Sequence, residues 1–141
     1  MNKLFLSLFF SLGMTACTLG VAVRDEPLLD RYWRALEIDG QAVVVTNNRA
    51  EPHLVLASEK NSAHGSDGCN RFHGSYDLAS GLHFGRLAST MMACLPPVNL
   101  LARNFSQALA ATTSYRIQGK QMELLDADGR VRMRLEATFL K

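Results

Sequence analysis

The sequence predicts a mainly β, α+β fold: one small antiparallel β-barrel-like domain of about seven or eight strands with a single amphipathic helix. Three observations predict it. Near the C-terminus, Val131, Met133, Leu135, Ala137 and Phe139 alternate with Arg130, Arg132, Arg134, Glu136 and Thr138, the period of a strand with one buried and one wet side. Only one window, Pro97 to Thr113, repeats apolar residues at intervals of three and four. Elsewhere, short apolar runs separated by turn residues recur at regular spacing, a pattern of closed or nearly closed antiparallel sheets, whose closure hides strand edges.

Taken in order, residues 18 to 29 show no period and contain Pro27, so they read as a tether. Tyr32 to Ile38 is rich in aromatic and aliphatic residues and precedes Asp39-Gly40, a strong hairpin turn. Gln41 to Val45 then supplies a β-branched run, which completes a first hairpin. His53 to Ala57 is a short strand between Pro52 and the polar stretch Ser58 to Ser62. Gly65, Gly68, Gly74, Gly81 and Gly85 punctuate the next stretch, around Phe72, Tyr76 and Phe84. That density implies bulges or close backbone approach rather than a helix.

The helical window places Val98, Leu101, Phe105, Ala108 and Leu109 on one face, with Arg103, Asn104, Ser106 and Gln107 on the wet face. Pro97 suits a first helical position, and packing against a sheet is the reading chosen over a membrane-surface helix, which would carry more Lys and Arg. Ser114 to Gln118, the Gly119-Lys120 turn, Met122 to Asp126, the Asp128-Gly129 turn and the alternating strand then form a three-strand meander.

The first residues lead to the expectation that this domain is exported. Met1-Asn2-Lys3 is a short positive region, and Leu4 to Leu12 is an apolar run too short to span a bilayer but long enough for a signal-peptide core. Gly13 to Cys17 resembles a lipobox, with Met14 where Leu, Val or Ile is usual. The expected organisation is a signal peptide over 1–16, an acylated Cys17 with a tether to residue 29, and one domain over 30–141. An ordinary secretory signal cut nearby, or a retained anchor, are the alternatives. Localisation follows: the cell envelope, lipid-anchored, at the outer membrane facing the periplasm.

Of three cysteines, lipidation of Cys17 leaves Cys69 and Cys94 as a pair, in a compartment where disulfides persist. Two free buried thiols, or a metal or redox role, are the other readings; the absence of a C-x-x-C pair removes the thioredoxin-type motif. Net charge is +2, with the two signs interspersed, so the clustered Lys and Arg that bind nucleic acid are missing. Arg130, Arg132 and Arg134 share one side of a strand and read as a solvated face.

Catalytic motifs are scarce. His53, His64, His73 and His83 are too far apart in sequence for paired zinc ligands, and His64-Gly65-Ser66-Asp67-Gly68 is not the G-x-S-x-G elbow of hydrolases. No phosphate-cradling loop is present. The expectation is therefore no catalytic residue, no metal and no cofactor. A metal-dependent hydrolase using the histidines is the alternative.

Two blocks, Gly68-Cys69-Asn70-Arg71-Phe72-His73-Gly74-Ser75-Tyr76 and Leu87-Ala88-Ser89-Thr90-Met91-Met92-Ala93-Cys94, resemble the META domain of HslJ-type heat-shock lipoproteins. Trp33 leading to Asp39-Gly40, Thr112-Thr113 before Ser114-Tyr115, and Leu124-Leu125-Asp126 extend the similarity over roughly residues 30 to 140. His73 stands where many members have an aromatic or small residue, and Met91 where Arg is common. The resemblance implies a compact barrel-like domain in stress-linked envelope proteins without established enzymatic activity. It also implies, by analogy of shape, an accessory role like that of secretion-pilot lipoproteins.

The residues themselves add modest roles. Gly68 and Gly74 let the backbone turn around Cys69, Asn70 hydrogen-bonds turn amides, Phe72 and Tyr76 supply core or rim area, Thr90 marks the second block, and Trp33 is core rather than a ligand platform. Expected partners are the membrane, through the lipid, and an envelope protein or an apolar ligand.

Overall fold

Alternating apolar and polar residues build an eight-strand antiparallel path in the computed structural model, which describes residues 23–45 and 49–139. The elements are β1 (Tyr32–Ile38), β2 (Gln41–Ala42), β3 (His53–Ala57), a 3-10 turn (Glu59–Asn61), β4 (Ser62–Ser66), β5 (Arg71–Asp77), β6 (His83–Phe84), β7 (Ala88–Ser89), α1 (Val98–Ala111), β8 (Ser114–Gln118), β9 (Gln121–Leu125) and β10 (Val131–Thr138). Strand order is β6-β5-β4-β3-β1-β10-β9-β8, with β2 beside β1 and β7 beside β5. The two ends of this path approach each other where the Leu82 amide donates to the Thr113 carbonyl at 3.0 Å. Gly81 makes that approach possible: its φ is +123°, and a Cβ there would stand 2.1 Å from the Thr113 oxygen. The result is a nearly closed barrel with one helix across it.

The inward residues form one cluster that includes Trp33, Leu54, Leu56, Met122, Leu124, Met133 and Leu135, and α1 adds Phe105, Ala108 and Leu109. Phe105 meets Phe72 with ring centroids 5.6 Å apart. Trp33 is fully buried, and its indole N–H donates to the Leu28 carbonyl at 2.9 Å, as a buried indole requires. The fourteen-residue helix has the apolar face its spacing predicts, and Thr112 ends it by donating its hydroxyl to the Ala108 carbonyl. Among the described residues, every buried core residue lies between Leu28 and Leu135.

Three expectations change. The tether does not run to residue 29: Leu28 is buried, the Glu26 amide donates to the Gly119 carbonyl, and Asp25 accepts from the Gly119 amide. These contacts move the start of the domain back to about residue 25. The run Gln41 to Val45 is not a full hairpin strand, because β3 occupies β1 from Tyr32 to Arg34 on that same side and leaves β2 only Glu37 and Ile38. Phe139 does not continue the buried row; β10 stops at Thr138 and Phe139 is 74% exposed. Cys17 and the signal region lie outside the described residues.

The arginine row of β10 is wet but paired. Arg130 reaches Asp126 and Asp128, Arg132 reaches Asp39, and Arg134 reaches Glu37 and Glu123. Burial alone would raise the Glu123 carboxyl, but hydrogen bonds from Arg116 and Arg134 hold it below its ordinary value. Asp126 is likewise depressed: desolvation opposes the shift, and the amides of Arg130 and Asp128 and the Arg130 side chain outweigh it.

Candidate functional site

The Cys69–Cys94 disulfide sits at one end of the barrel, with an S–S distance of 1.97 Å and Cα atoms 6.1 Å apart. It joins the β4–β5 turn to the segment 90–97, which runs as an irregular strap from β7 to α1. Asp67 is buried in that turn, and its carboxylate accepts from the Cys69 and Asn70 amides at 2.8 and 2.6 Å. Gly68 completes the turn with φ at +94° and the Leu101 side chain close against it.

Asn70 then fixes the strap. Its side-chain oxygen accepts from the Thr90 hydroxyl at 3.1 Å and from the Met92 amide at 2.7 Å. Thr90 closes the circuit, since its hydroxyl accepts from the Arg71 amide and its own amide donates to the Arg71 carbonyl. The two sequence blocks noted above thus meet here: one supplies Cys69 and Asn70, the other Thr90 and Cys94. Sequence reading placed Asn70 in its own turn, but its side chain bonds a segment twenty residues away.

The remaining residues of those blocks lie inside. Phe72 and Tyr76 are buried on β5, and the Tyr76 hydroxyl donates to the Ala57 carbonyl at 3.0 Å. Burial and, secondarily, the charge of Asp30 push the Tyr76 hydroxyl above its ordinary value. Gly74 permits close approach, because a Cβ there would meet the Arg86 carbonyl oxygen at 2.6 Å.

Strap and hairpin leave apolar surface uncovered. Met91 is 98% exposed, Leu95 77%, Val44 75% and Leu100 48%. Between the β1–β2 hairpin, the strap and the first turns of α1 runs a groove of about 440 Å³, lined among others by Ile38, Val44, Leu95, Pro96, Val98 and Leu101, with Gln41, Arg49 and Asn104 as its polar members. That volume lies within the range of small-molecule sites, which are mostly apolar with a few polar groups. Sequence reasoning missed this groove, since it brings residues 38–44 and Arg49 to residues 95–104 across the fold.

The histidines are dispersed. His64 and His73 stand opposite each other on β4 and β5, both exposed; His53 stacks on Tyr32 at 4.3 Å and bonds the Glu51 carbonyl; His83 approaches the Ser80 hydroxyl. Among the described residues, no three of His, Cys, Asp and Glu gather as metal ligands. Tyr32, beside His53, has its hydroxyl raised to about 12 by burial and by the Glu51 carboxylate it bonds. No helix among the described residues is long and apolar enough to cross a membrane.

This geometry defines a class: a nearly closed antiparallel barrel whose helix is approached through a disulfide-pinned strap. The META domain model matches residues 26–139, and the chain belongs to the META-domain family. Two solved structures share the fold. One is an NMR structure of a protein from Burkholderia xenovorans, 29% identical, with a TM-score of 0.64, covering 80% of this chain and 85% of that one. The other is an NMR structure of a protein 26% identical, with a TM-score of 0.60, covering 77% of this chain and 90% of that one. No curated protein is significantly similar to this chain.

Proposed function

We propose that this META-domain chain is a non-catalytic module of the bacterial cell envelope, held by an acylated Cys17, that binds an apolar ligand or partner under stress. The observation that carries this reading is the apolar groove beside the disulfide, with its exposed Leu95, Val44 and Leu100. Exposed apolar surface of this kind marks binding sites more often than it serves a fold. The strap is locked at two points, by the disulfide and by Asn70, so the groove is preorganised and its occupant need not order it on arrival.

Lipidation rests on the signal-like N-terminus and the small residues before Cys17. Val23 touches Gly119 in the β8–β9 turn, at the end of the barrel opposite the disulfide, so an anchored domain would carry its groove away from the lipid. Hydrolysis through the histidines finds less support, because His64 and His73 face each other without a carboxylate or cysteine beside them.

Two measurements test the proposal. Intact mass of the membrane-extracted protein is expected to show cleavage before Cys17, acyl chains and one disulfide. A photocrosslinking residue at Leu95 is expected to capture an envelope component that the same residue at Glu59 does not. An unprocessed chain, or no capture at either position together with wild-type heat tolerance of a deletion strain, overturns it.

A further inference from the structure

Resting on the proposed binding role, we infer that the groove is a site for a long-chain carboxylic acid, whose aliphatic tail lies along the strap and whose carboxylate is held by Arg49. The lining decides the tail. Its apolar members are all aliphatic, and no aromatic ring is present to stack on a planar ligand. A flexible hydrocarbon chain is the apolar shape that such a wall accepts.

Charge decides the head group. All thirteen acidic side chains of the protein lie among the described residues, and each has its partner. Nine form ion pairs, and Asp25, Asp30, Asp67 and Asp77 accept from backbone amides. None is an ion-pair partner of Arg49. Among the described residues the only hydrogen-bond partner of its guanidinium is the Cys94 sulfur, at 3.8 Å, a weak acceptor. A second source of positive potential adjoins it, for α1 begins at the groove wall with no side-chain cap and no acidic residue in its first turn. Apolar walls and a cation that meets no carboxylate among the described residues match a fatty acid and repel the corresponding amine.

The test uses residues 18–141, without the acyl group, and the twelve-carbon acid, alcohol and amine below their aggregation concentrations. Affinity is measured by displacement of a fluorescent fatty acid, and the site by amide chemical shifts. The acid is expected to bind more tightly than the alcohol by roughly two- to fivefold, the range for a solvent-exposed ion pair, with the amine weakest. Shifts are expected at Val44, Leu95 and Leu100. Arg49→Gln is expected to erase the preference for acid over alcohol. Leu95→Asp with Leu100→Asp is expected to abolish all binding, and both sites are exposed enough that a cooperative melt should confirm the fold. Equal binding of acid and amine, an acid preference surviving Arg49→Gln, shifts elsewhere, or no saturable binding each overturns the inference. Capture of a protein at Leu95 together with no acid binding would sink this inference alone and leave the proposed function standing.

Discussion

Asn70 does more than its size suggests, because one side-chain oxygen satisfies both a hydroxyl and a backbone amide on the strap. Asn70→Ala is expected to destabilise the domain by roughly 1 to 3 kcal/mol, the range for two hydrogen bonds lost at a partly exposed site. Thr90→Val removes the other half of the same circuit. In a double-mutant cycle by urea denaturation the two losses should be clearly less than additive, as for residues in one network; simple additivity would show the latch to be two independent contacts. At this scale the sequence was partly legible. Trp33, Phe72 and Tyr76 announced burial by size and setting, and the glycines announced close approach. The second partner of Asn70 was not readable, because hydrogen bonding between residues 70 and 92 depends on how β7 docks on β5.

Among the elements, the strap depends on its covalent tie. The bridge closes a loop between residues 25 apart, which in the chain-entropy model contributes about 3 to 4 kcal/mol. Reduction is expected to lower the melting temperature by on the order of 10 °C. It should also raise amide exchange in residues 90–97 before that in β10; a melting temperature indifferent to reductant would contradict this role. The helix and the β8–β10 meander were legible because each has one dry and one wet side, so period and burial agree. The first hairpin was misjudged because β-branched composition says nothing about which neighbour occupies an edge. β3 takes that edge, and Val43 keeps only its amide bond to the Leu36 carbonyl.

For the whole molecule, acid is the revealing perturbant. Glu123 and Asp126 are depressed in the folded state from ordinary values of 4.5 and 3.8, so the unfolded chain takes up protons first as pH falls. Their stabilisation is complete above about pH 5 and is lost as pH drops through their lowered values. A stability profile by urea denaturation should therefore be flat near neutrality and fall below about pH 4, and Glu123→Gln should make that fall shallower. A profile unchanged by Glu123→Gln would show that this carboxylate network contributes nothing. The barrel class was legible from strand count and spacing, but not how its ends would meet. Among the described residues they join through one amide, that of Leu82, on the Thr113 carbonyl, beside a glycine that admits no side chain. A cylinder fastened by a single stitch has a preferred place to come undone, and the margin beside it is β8, which is paired on one side only, by β9.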